Sequence, residues 1–483
     1  MVLAILEANI VHVITKKLSI NTHLNTCLLP RNIFNSLNLS TETIYTFHFG
    51  LSISTCSIGF LETDDNIMYV SEGLLNSLNL FQGAATNIWR KDTSIYLGPV
   101  IGILFHREYI RSLLKGSFNY FAVEHTNASL SENCICYYFS PLDIDWKNKR
   151  VKGIVYTPEL KKCDTYWLPL PNILYDRISS INRNRNSLIA RTRRKFKNTP
   201  GVKLINSLNV LGKLETYEAL VKYTKTKDYL PETIIYSSFN DAIRMLNKNN
   251  LIFIKSCYGF GGREVLSIEK ACDKYKLNYY HRGPQEIISN NINEVQELVT
   301  KFVSNKKFII QRGINLLKYK GSNMDIRIFV MKNQFGSWEA IFKGARIAKQ
   351  DFRMTNTHAG GVYAMYEQIY DELVEHYELT RIPSPEKLNL ISTMLASYIE
   401  KKMGKFGEIG LDIGIDLDGA VWLIEANSKP DKELEHDILD INGSPWVKLV
   451  PKFYTGTMNN ENIQPQALGI FKYAKFLSGT YEE

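Results

Sequence analysis

The segment that most constrains this chain of 483 residues is 407–430, GEIGLDIGIDLDGAVWLIEANSKP, because it predicts a β-hairpin with acids on one face. Asp418-Gly419 is a two-residue turn signal of type I′, and alternating apolar residues flank it on both sides. Pairing the strands outward from that turn gives a definite register. It sets Leu417 opposite Ala420, Asp416 opposite Val421, Asp412 opposite Glu425 and Gly410 opposite Asn427.

Three side chains of this hairpin have the chemistry of metal ligands. In the predicted register Asp412, Glu425 and Asn427 share one face. Two carboxylates opposed at about 5 Å between Cβ atoms repel each other and destabilise a sheet unless a cation lies between them. Hard oxygen ligands with a neighbouring amide suit Mg²⁺ that bridges phosphates. The alternative is an ordinary edge hairpin whose acids face water.

Length and composition predict a soluble globular chain. It is 45% hydrophobic and 22% charged, and its length allows three or four domains. The net charge of +9 is compatible with an anionic partner, but an ATP site also needs several lysines and arginines. Seven scattered cysteines match neither a disulfide framework nor a zinc module, which indicates a reducing interior. No stretch reaches the apolar length of a membrane span, so we expect a cytoplasmic protein without a membrane partner.

A short internal sequence repeat in the first part of the chain indicates duplication. Residues 35–39, NSLNL, recur at 76–80, each copy after an apolar pair and before a turn and a β-rich stretch. Two half-units that cannot bury their own faces predict a small pseudo-symmetric β-barrel over residues 1–96. Chance repetition in a chain rich in Asn and Leu is the alternative.

An α/β domain is predicted after the barrel, over residues 97–198. The run 100–105, VIGILF, has the pattern of a buried parallel strand, and a helical pattern and further short strands follow it. From Arg177 to Asn198 eight Arg or Lys residues occur with no acid. We interpret this run as a solvated helix or linker. A patch for RNA or an acidic partner is the alternative, but interleaved aromatic residues are lacking and nucleic acid is not expected.

Residues 251–268 predict a strand, a glycine loop and a second strand. The loop holds Gly259, Gly261 and Gly262, whose backbone N–H groups can approach phosphate oxygens. Lys255, at the end of the first strand, can place a cation on those oxygens. The segment is not a Walker loop, because the lysine precedes the glycines, and not a Rossmann fingerprint, because a strand follows. A plain hairpin is the alternative.

Charged residues recur on the strands predicted downstream. Residues 307–311 form one such strand, and 325–330, DIRIFV, alternate charged with apolar residues. The segments KGAR at 343–346 and RMTNTHAGG at 353–361 follow. Any one of these cations is explained as a surface charge, but their order is harder to explain in that way.

That order resembles the ATP-grasp superfamily, the carboxylate-amine ligases, over about residues 200–455. The resemblance implies ATP and Mg²⁺ as cofactors and assigns a role to each matching residue. The implied roles are these: Lys213 and Lys255 as the two ATP lysines; Gly259, Gly261 and Gly262 as the phosphate-covering loop; Gln311, Arg312 and Gly313 as the hinge that reads adenine; Asp325 and Arg327 as the central D-x-R strand; Arg346 and Asn356 beside the transferred γ-phosphate; and Asp412, Glu425 and Asn427 as the Mg²⁺ ligands.

The whole chain is similar to one subgroup, the YheC/YheD family of endospore coat-associated proteins. The segments 97–104, 139–146, 168–171 and 424–430 carry this resemblance. It implies a multidomain α/β (α+β) chain, an ATP-grasp fold preceded by a Rossmann-like domain and the small barrel, and spore-coat proteins as partners. The implied domains are residues 1–96, 97–198 with the basic linker, 199–460, and a C-terminal tail or helix at 461–483.

The chain departs from the superfamily pattern at two positions. Gln311 stands where many relatives carry an acid, and no carboxylate for the ribose hydroxyls follows it. Asp416 lies farther along the same predicted face as Asp412, where it would share or compete for the metal.

The activity that the resemblance implies is ligation of a carboxylate to an amine or thiol through an acylphosphate. Lys213 and Lys255 would neutralise the α- and β-phosphates, Arg346 would stabilise the transferred group, and the glycine loop would exclude water. No side-chain nucleophile is required. The alternative is a coat scaffold or binding protein that retains an ATP-binding module without turnover.

Overall fold

The computed structural model divides the chain into two compact units. Unit 1 comprises Met1–Ser207, Lys332–Ser337 and Lys452–Glu483, and unit 2 comprises Leu208–Met331 and Trp338–Pro451. The residues that the structure describes are 10–19, 25–117, 120–157, 160, 162–178, 187–259, 264–280, 283–303, 306–349, 355, 361–377, 381–431, 441 and 463–480. The finer boundaries expected at residues 96, 198 and 460 stay predictions.

Seven strands of unit 1 close a barrel in the order β1-β5-β2-β4-β3-β7-β6. Side chains alternate between the barrel interior and the outside, as in β3, where every second residue is buried. The elements are β1 (Val11–Lys17), β2 (Thr26–Pro30), α1 (Arg31–Ser36), β3 (Ile44–Phe49), β4 (Ser52–Leu61), β5 (Ile67–Val70), α2 (Glu72–Leu78), β6 (Ala85–Lys91) and β7 (Ser94–Gly98).

The two copies of NSLNL have the same local structure. Each one ends a short helix, and Asn38 and Asn79 both take a left-handed backbone conformation, with φ of 50° and 52°. The next residue closes each helix, since Leu39 N–H donates to Phe34 O and Leu80 N–H donates to Leu75 O.

A second sheet of unit 1 has the order β10-β11-β9-β8-β13-β14, with β12 paired to β11. All five residues of β8 are buried, and β8 runs parallel to β9 and β13, as its apolar run predicts. A helix from the C-terminal part of unit 1, α12, packs against α4. The elements are β8 (Val100–Leu104), α3 (Arg107–Leu114), α4 (Tyr120–Ser131), β9 (Ile135–Phe139), β10 (Ile144–Asp145), β11 (Arg150–Thr157), β12 (Lys162–Pro169), β13 (Ile173–Asp176), α5 (Leu188–Asn198), β14 (Lys203–Leu204) and α12 (Pro465–Ser478).

The basic run of unit 1 contributes to packing as well as to the surface. Arg193 on α5 donates to both carboxylate oxygens of Asp176, and Lys195 lies 4.8 Å from the centre of the Trp146 ring. Arg191 and Arg194 are exposed. Phe196, an aromatic residue of the run, packs against the same Trp146 ring, with centroids 5.0 Å apart.

The first sheet of unit 2 has the order β15-β20-β16-β17-β18-β19. One face packs its aliphatic side chains on α8 and α9. The opposite face carries Lys255 and Gln311, because residues alternate along each strand. The elements are α6 (Lys213–Leu220), α7 (Thr224–Lys227), β15 (Thr233–Ile235), α8 (Phe239–Asn249), β16 (Leu251–Ser256), β17 (Val265–Ala271), β18 (Lys274–Tyr280), β19 (Pro284–Ser289), α9 (Ile292–Phe302) and β20 (Phe308–Arg312).

The second sheet of unit 2 has the order β24-β23-β22-β25-β26, with β21 paired to β22. Its apolar face packs on α10 and α11, and its other face carries the charged residues of the D-x-R strand. The elements are β21 (Lys318–Tyr319), β22 (Ser322–Lys332), β23 (Trp338–Ile347), β24 (Val362–Met365), α10 (Tyr366–Tyr377), α11 (Pro385–Met403), β25 (Glu408–Ile415) and β26 (Val421–Asn427).

None of the helices in the described ranges has both the length and the apolar character needed to cross a membrane.

Candidate functional site

The hairpin of β25 and β26 brings together the acids that the sequence singled out. Asp412 lies opposite Glu425, and Gly410 lies opposite Asn427, so the predicted register is confirmed at this end. The Asp412 side chain is buried, whereas that of Glu425 is 23% exposed.

The turn end of the same hairpin differs from the prediction. Ile415 lies opposite Val421, and Asp416 N–H donates to Ala420 O at 3.0 Å. The predicted pairs of Asp416 with Val421 and of Leu417 with Ala420 are therefore wrong. An irregularity in the ladder between Asp412 and Ile413 shifts the register by one residue and restores the predicted pairing at the acids.

Asp416 explains why the turn is wider than a two-residue turn. Its Oδ1 accepts hydrogen bonds from the N–H groups of Asp418 (3.0 Å) and Ala420 (2.8 Å), and its Oδ2 accepts from Trp422 Nε1 at 2.7 Å. Gly419 supplies the positive φ, 78°, that closes the loop. These bonds use the Asp416 carboxylate to hold the turn, and its sharing of or competition for the metal role of Asp412 stays a prediction.

Two arginines on other strands of the same sheet neutralise Asp412. Arg327 on β22 donates to both carboxylate oxygens, and Arg346 Nη2 on β23 lies 3.1 Å from Asp412 Oδ2. Arg346 also binds Asp325 bidentately, at 2.7 and 2.8 Å, and Thr355 Oγ1 donates to Asp325 Oδ2 at 2.6 Å. The four charged groups therefore form one interlocked and neutral network on the face of the sheet.

Mutual neutralisation keeps Asp412 and Arg346 ionised. Burial alone would raise the pKa of Asp412, but the charges and hydrogen bonds of Arg327 and Arg346 outweigh it and lower the pKa to about 2. Burial alone would lower the pKa of Arg346, but Asp325 and Asp412 raise it well above its ordinary value.

Lys255 on β16 lies in a different environment, facing a neutral amide. Its Nζ donates to Gln311 Oε1 at 2.6 Å, and Gln311 Nε2 donates to Thr233 Oγ1 at 3.1 Å. All three side chains are buried. Burial lowers the pKa of Lys255 to about 8, although the charge of Glu425 acts in the opposite direction.

Lys213, the first residue of α6, connects the glycine loop to the acids. Its Nζ donates to Gly259 O at 2.7 Å and to Glu425 Oε1 at 3.0 Å. The side chain is only 7% exposed. A cation that the family resemblance assigned to phosphate therefore lies between the phosphate-loop backbone and a candidate metal ligand.

The expected adenine hinge uses its backbone donors within the sheet. Arg312 N–H donates to Glu232 O and Gly313 N–H donates to Leu251 O, both at 2.8 Å. A Cβ atom at Gly313 would lie 2.1 Å from Leu251 Cγ, so only glycine fits this close approach. The Arg312 guanidinium lies 4.5 Å from the centre of the Trp422 ring.

Three predicted site residues, Gly261, Gly262 and Asn356, lie outside the described residues. Within the described ranges, no group of three or more His, Cys, Asp or Glu side chains could hold a metal ion by itself. An ion bound by Asp412 and Glu425 would therefore also need oxygens from other groups, such as the amide of Asn427 or the phosphates of a nucleotide.

Sequence reasoning missed two neutral partners of the charged groups. Thr355 binds Asp325, and Thr233 binds Gln311. Thr355 falls within the segment 353–361 that the sequence singled out, but a hydroxyl gives no signal of which distant side chain it will reach.

The chain is similar to several known proteins. A family model described as YheC/D-like ATP-grasp matches residues 201–448. The chain is 23% identical over 419 residues to the endospore coat-associated protein YheD of Bacillus subtilis (strain 168), covering 85% of this chain and 88% of that protein. It is 24% identical over 301 residues to YheC of the same strain, covering 61% and 80%. A solved structure of the ATP-grasp ligase PsnB complexed with minimal precursor is 11% identical, with a TM-score of 0.41, and covers 72% of this chain and 97% of that chain.

Proposed function

Since the chain belongs to the YheC/D-like ATP-grasp family, we propose that unit 2 is an ATP- and Mg²⁺-dependent ligase that joins a carboxylate to an amine or thiol. The observation that carries this proposal is the position of Lys213. Its Nζ contacts the glycine-loop carbonyl of Gly259 and the Glu425 carboxylate at the same time. Groups suited to phosphate and groups suited to a metal ion are thereby joined in one site.

The side chains present fit Mg²⁺. Asp412, Glu425 and Asn427 offer oxygen atoms, which this hard cation prefers, and the low pKa of Asp412 keeps its carboxylate ionised at neutral pH. Bound there, Mg²⁺ would neutralise oxygens of the β- and γ-phosphates.

In the proposed reaction a carboxylate oxygen attacks the γ-phosphorus of ATP, and the bond from that phosphorus to the bridging oxygen of ADP breaks. The amine nitrogen or thiol sulfur then attacks the acyl carbon of the acylphosphate, phosphate leaves, and the nucleophile loses a proton. Lys213 and Lys255 neutralise the α- and β-phosphates, while Arg346 and Asn356 act on the transferred group. Positioning and charge neutralisation supply most of the catalysis in such transfers.

Adenine recognition is proposed at Gln311, Arg312 and Gly313. Because the N–H groups of Arg312 and Gly313 already bind within the sheet, the base would use carbonyl oxygens of this segment and the amide of Gln311. Asp325 and Arg327 act through Arg346 and Asp412, whose positions they fix.

The coat association named for YheD and YheC extends to this chain as part of the proposal. We propose a ligase that works in the cytoplasm on a substrate connected with the spore coat.

Calorimetry of ATP binding with and without Mg²⁺, on the native chain and on Glu425→Gln, tests the proposal. We expect Mg²⁺-dependent binding that Glu425→Gln weakens by at least about tenfold, and loss of ADP release in that variant. Asp418→Asn, which removes an exposed acid from the same hairpin, is the matched control and leaves binding unchanged.

Two other outcomes would change the proposed function. Binding without turnover on any carboxylate-amine pair would favour a nucleotide-binding coat protein. A folded native chain that binds no ATP would contradict the ligase and indicate a coat scaffold.

A further inference from the structure

The first turn of α6 contacts the first residues of the glycine loop at three points. Lys213 N–H donates to Cys257 O at 2.9 Å, and Lys213 Nζ donates to Gly259 O at 2.7 Å. The third contact is between side chains, since the hydroxyl of Tyr258 donates to Oε1 of Glu215. Three consecutive loop residues are therefore held by two residues of one helical turn.

The surroundings of Glu215 favour its contact with Tyr258. A carboxylate in the first turn of a helix is favoured by the helix dipole. Its buried Oε2 atom has no hydrogen-bond partner among the described residues, although a buried carboxylate oxygen is stabilised by one. A Cβ atom at position 212 would lie 2.0 Å from that oxygen, so Gly212 makes room for the carboxylate.

The contact bears on Lys213 through the loop backbone. Lys213 Nζ has two anchors in the structure, the Gly259 carbonyl and the Glu425 carboxylate. Tyr258 is bonded to Gly259 in sequence, so the position of the Tyr258 side chain restricts where the Gly259 carbonyl lies. Releasing Tyr258 would loosen one of the two anchors and leave the Glu425 ion pair to set the direction of the lysine.

We propose that Glu215 is a positioning residue, which holds Tyr258 so that the loop carbonyl aims Lys213 at the phosphates of the nucleotide. This inference rests on the proposed function, because it assumes that the nucleotide is ATP. In this role Glu215 does not contact the substrate. The predicted signature is a loss of affinity for phosphate groups without a loss of affinity for the base.

The test compares MgATP with adenosine, which carries the base and ribose but no phosphate. Binding of both is measured by calorimetry to the native chain, to Tyr258→Phe, which removes only the hydroxyl, and to Glu215→Gln, which keeps an acceptor oxygen but no charge. Glu218→Gln is the matched control, because Glu218 is an exposed residue of the same helix.

We expect Tyr258→Phe to weaken MgATP binding roughly tenfold while adenosine binding is unchanged, as for loss of a hydrogen bond to a charged group. Glu215→Gln should lie between Tyr258→Phe and the native chain, because the amide still accepts the hydroxyl. Glu218→Gln should match the native chain.

Two results would overturn the inference, and they differ in what they imply for the ligase. If both variants keep the native ratio of MgATP to adenosine affinity, Glu215 is only a packing residue and the proposed function stands. If the native chain itself binds no MgATP, both the inference and the proposed function fail. Should Tyr258→Phe not fold, the ratio in Glu215→Gln decides, and a native ratio there overturns the inference.

Discussion

The two sheets of unit 2 bury charge in opposite ways. On the second sheet Arg327, Arg346, Asp325 and Asp412 lie within ion-pair distance of one another, so their charges cancel. On the first sheet Lys255 is equally buried but its hydrogen-bond acceptor is the neutral amide of Gln311.

Both pKa values are lowered, but a lowered pKa favours the charged form of Asp412 and the neutral form of Lys255. Burial opposes ionisation at both places, yet paired charges hold the pKa of Asp412 at about 2, whereas the pKa of Lys255 falls to about 8. The charges of the network are neutralised by one another, whereas the charge of Lys255 faces a neutral acceptor. Among the described residues Lys255 has no bonded counterion, and a buried cation of this kind is suited to bind an anion such as phosphate.

The largest effect is expected from Asp412→Ala. It removes the carboxylate that both buried guanidinium groups contact, so the free energy of unfolding should fall by about 3–5 kcal/mol. Urea denaturation measures the change, with Asp418→Ala at the exposed turn as the control. A loss below about 1 kcal/mol, typical of exposed pairs, would show that the network is not acting as a buried unit.

A smaller change of the opposite sign is expected from Lys255→Met. Methionine retains an apolar chain of similar length and removes a charge that burial disfavours, so the free energy of unfolding should rise by about 1 kcal/mol at pH 7. Affinity for MgATP should fall by about tenfold in the same variant. Lys307→Met, at an exposed position just before β20, is the control. Stability and affinity that fall together would contradict the contrast drawn between the sheets.

A further effect is expected from pH, in two separate windows. Asp412 has a pKa of about 2 in the folded chain against an ordinary 3.8, so its contribution is present above pH 3.8 and is lost as the pH falls towards 2, about 2 kcal/mol in all. Lys255 has a pKa of about 8 against an ordinary 10.5, so the unfolded chain binds more protons between these values. Stability should therefore rise with pH across that range.

Denaturation curves of the native chain and of Lys255→Met are measured at each pH. Their difference separates the contribution of Lys255 from that of other groups that titrate in the alkaline range. The native chain should gain stability relative to the variant between pH 8 and 10.5. A constant difference across this range would mean that Lys255 keeps its ordinary pKa.

The sequence predicted which residues meet in the hairpin but not how the chain arranges the turn. Alternation and the Asp418-Gly419 signal were sufficient to pair Asp412 with Glu425, because a shift in the ladder cancelled an error at the turn. That error arose because the Asp416 side chain competes for the turn N–H groups, an effect that backbone turn rules do not include.

Contacts between distant parts of the chain were beyond sequence reasoning for a different reason. The ion pair of Lys213 with Glu425 joins α6 to β26, and the pair of Arg327 with Asp412 joins β22 to β25. Local patterns identify each residue as charged and give the face of the strand on which it lies. They do not specify which opposite charge it will reach, since that depends on the packing of whole elements.

The position of α12 in the chain has a consequence for synthesis. This helix belongs to unit 1, where Ala467 and Phe471 are fully buried and Lys475 forms an ion pair with Glu132 at 3.0 Å, yet it is translated after all of unit 2. On the ribosome unit 2 can therefore finish folding while unit 1 still exposes the apolar surface that α12 will cover. Premature termination between the two would release a finished unit 2 attached to an incomplete unit 1, a substrate for chaperones and proteases.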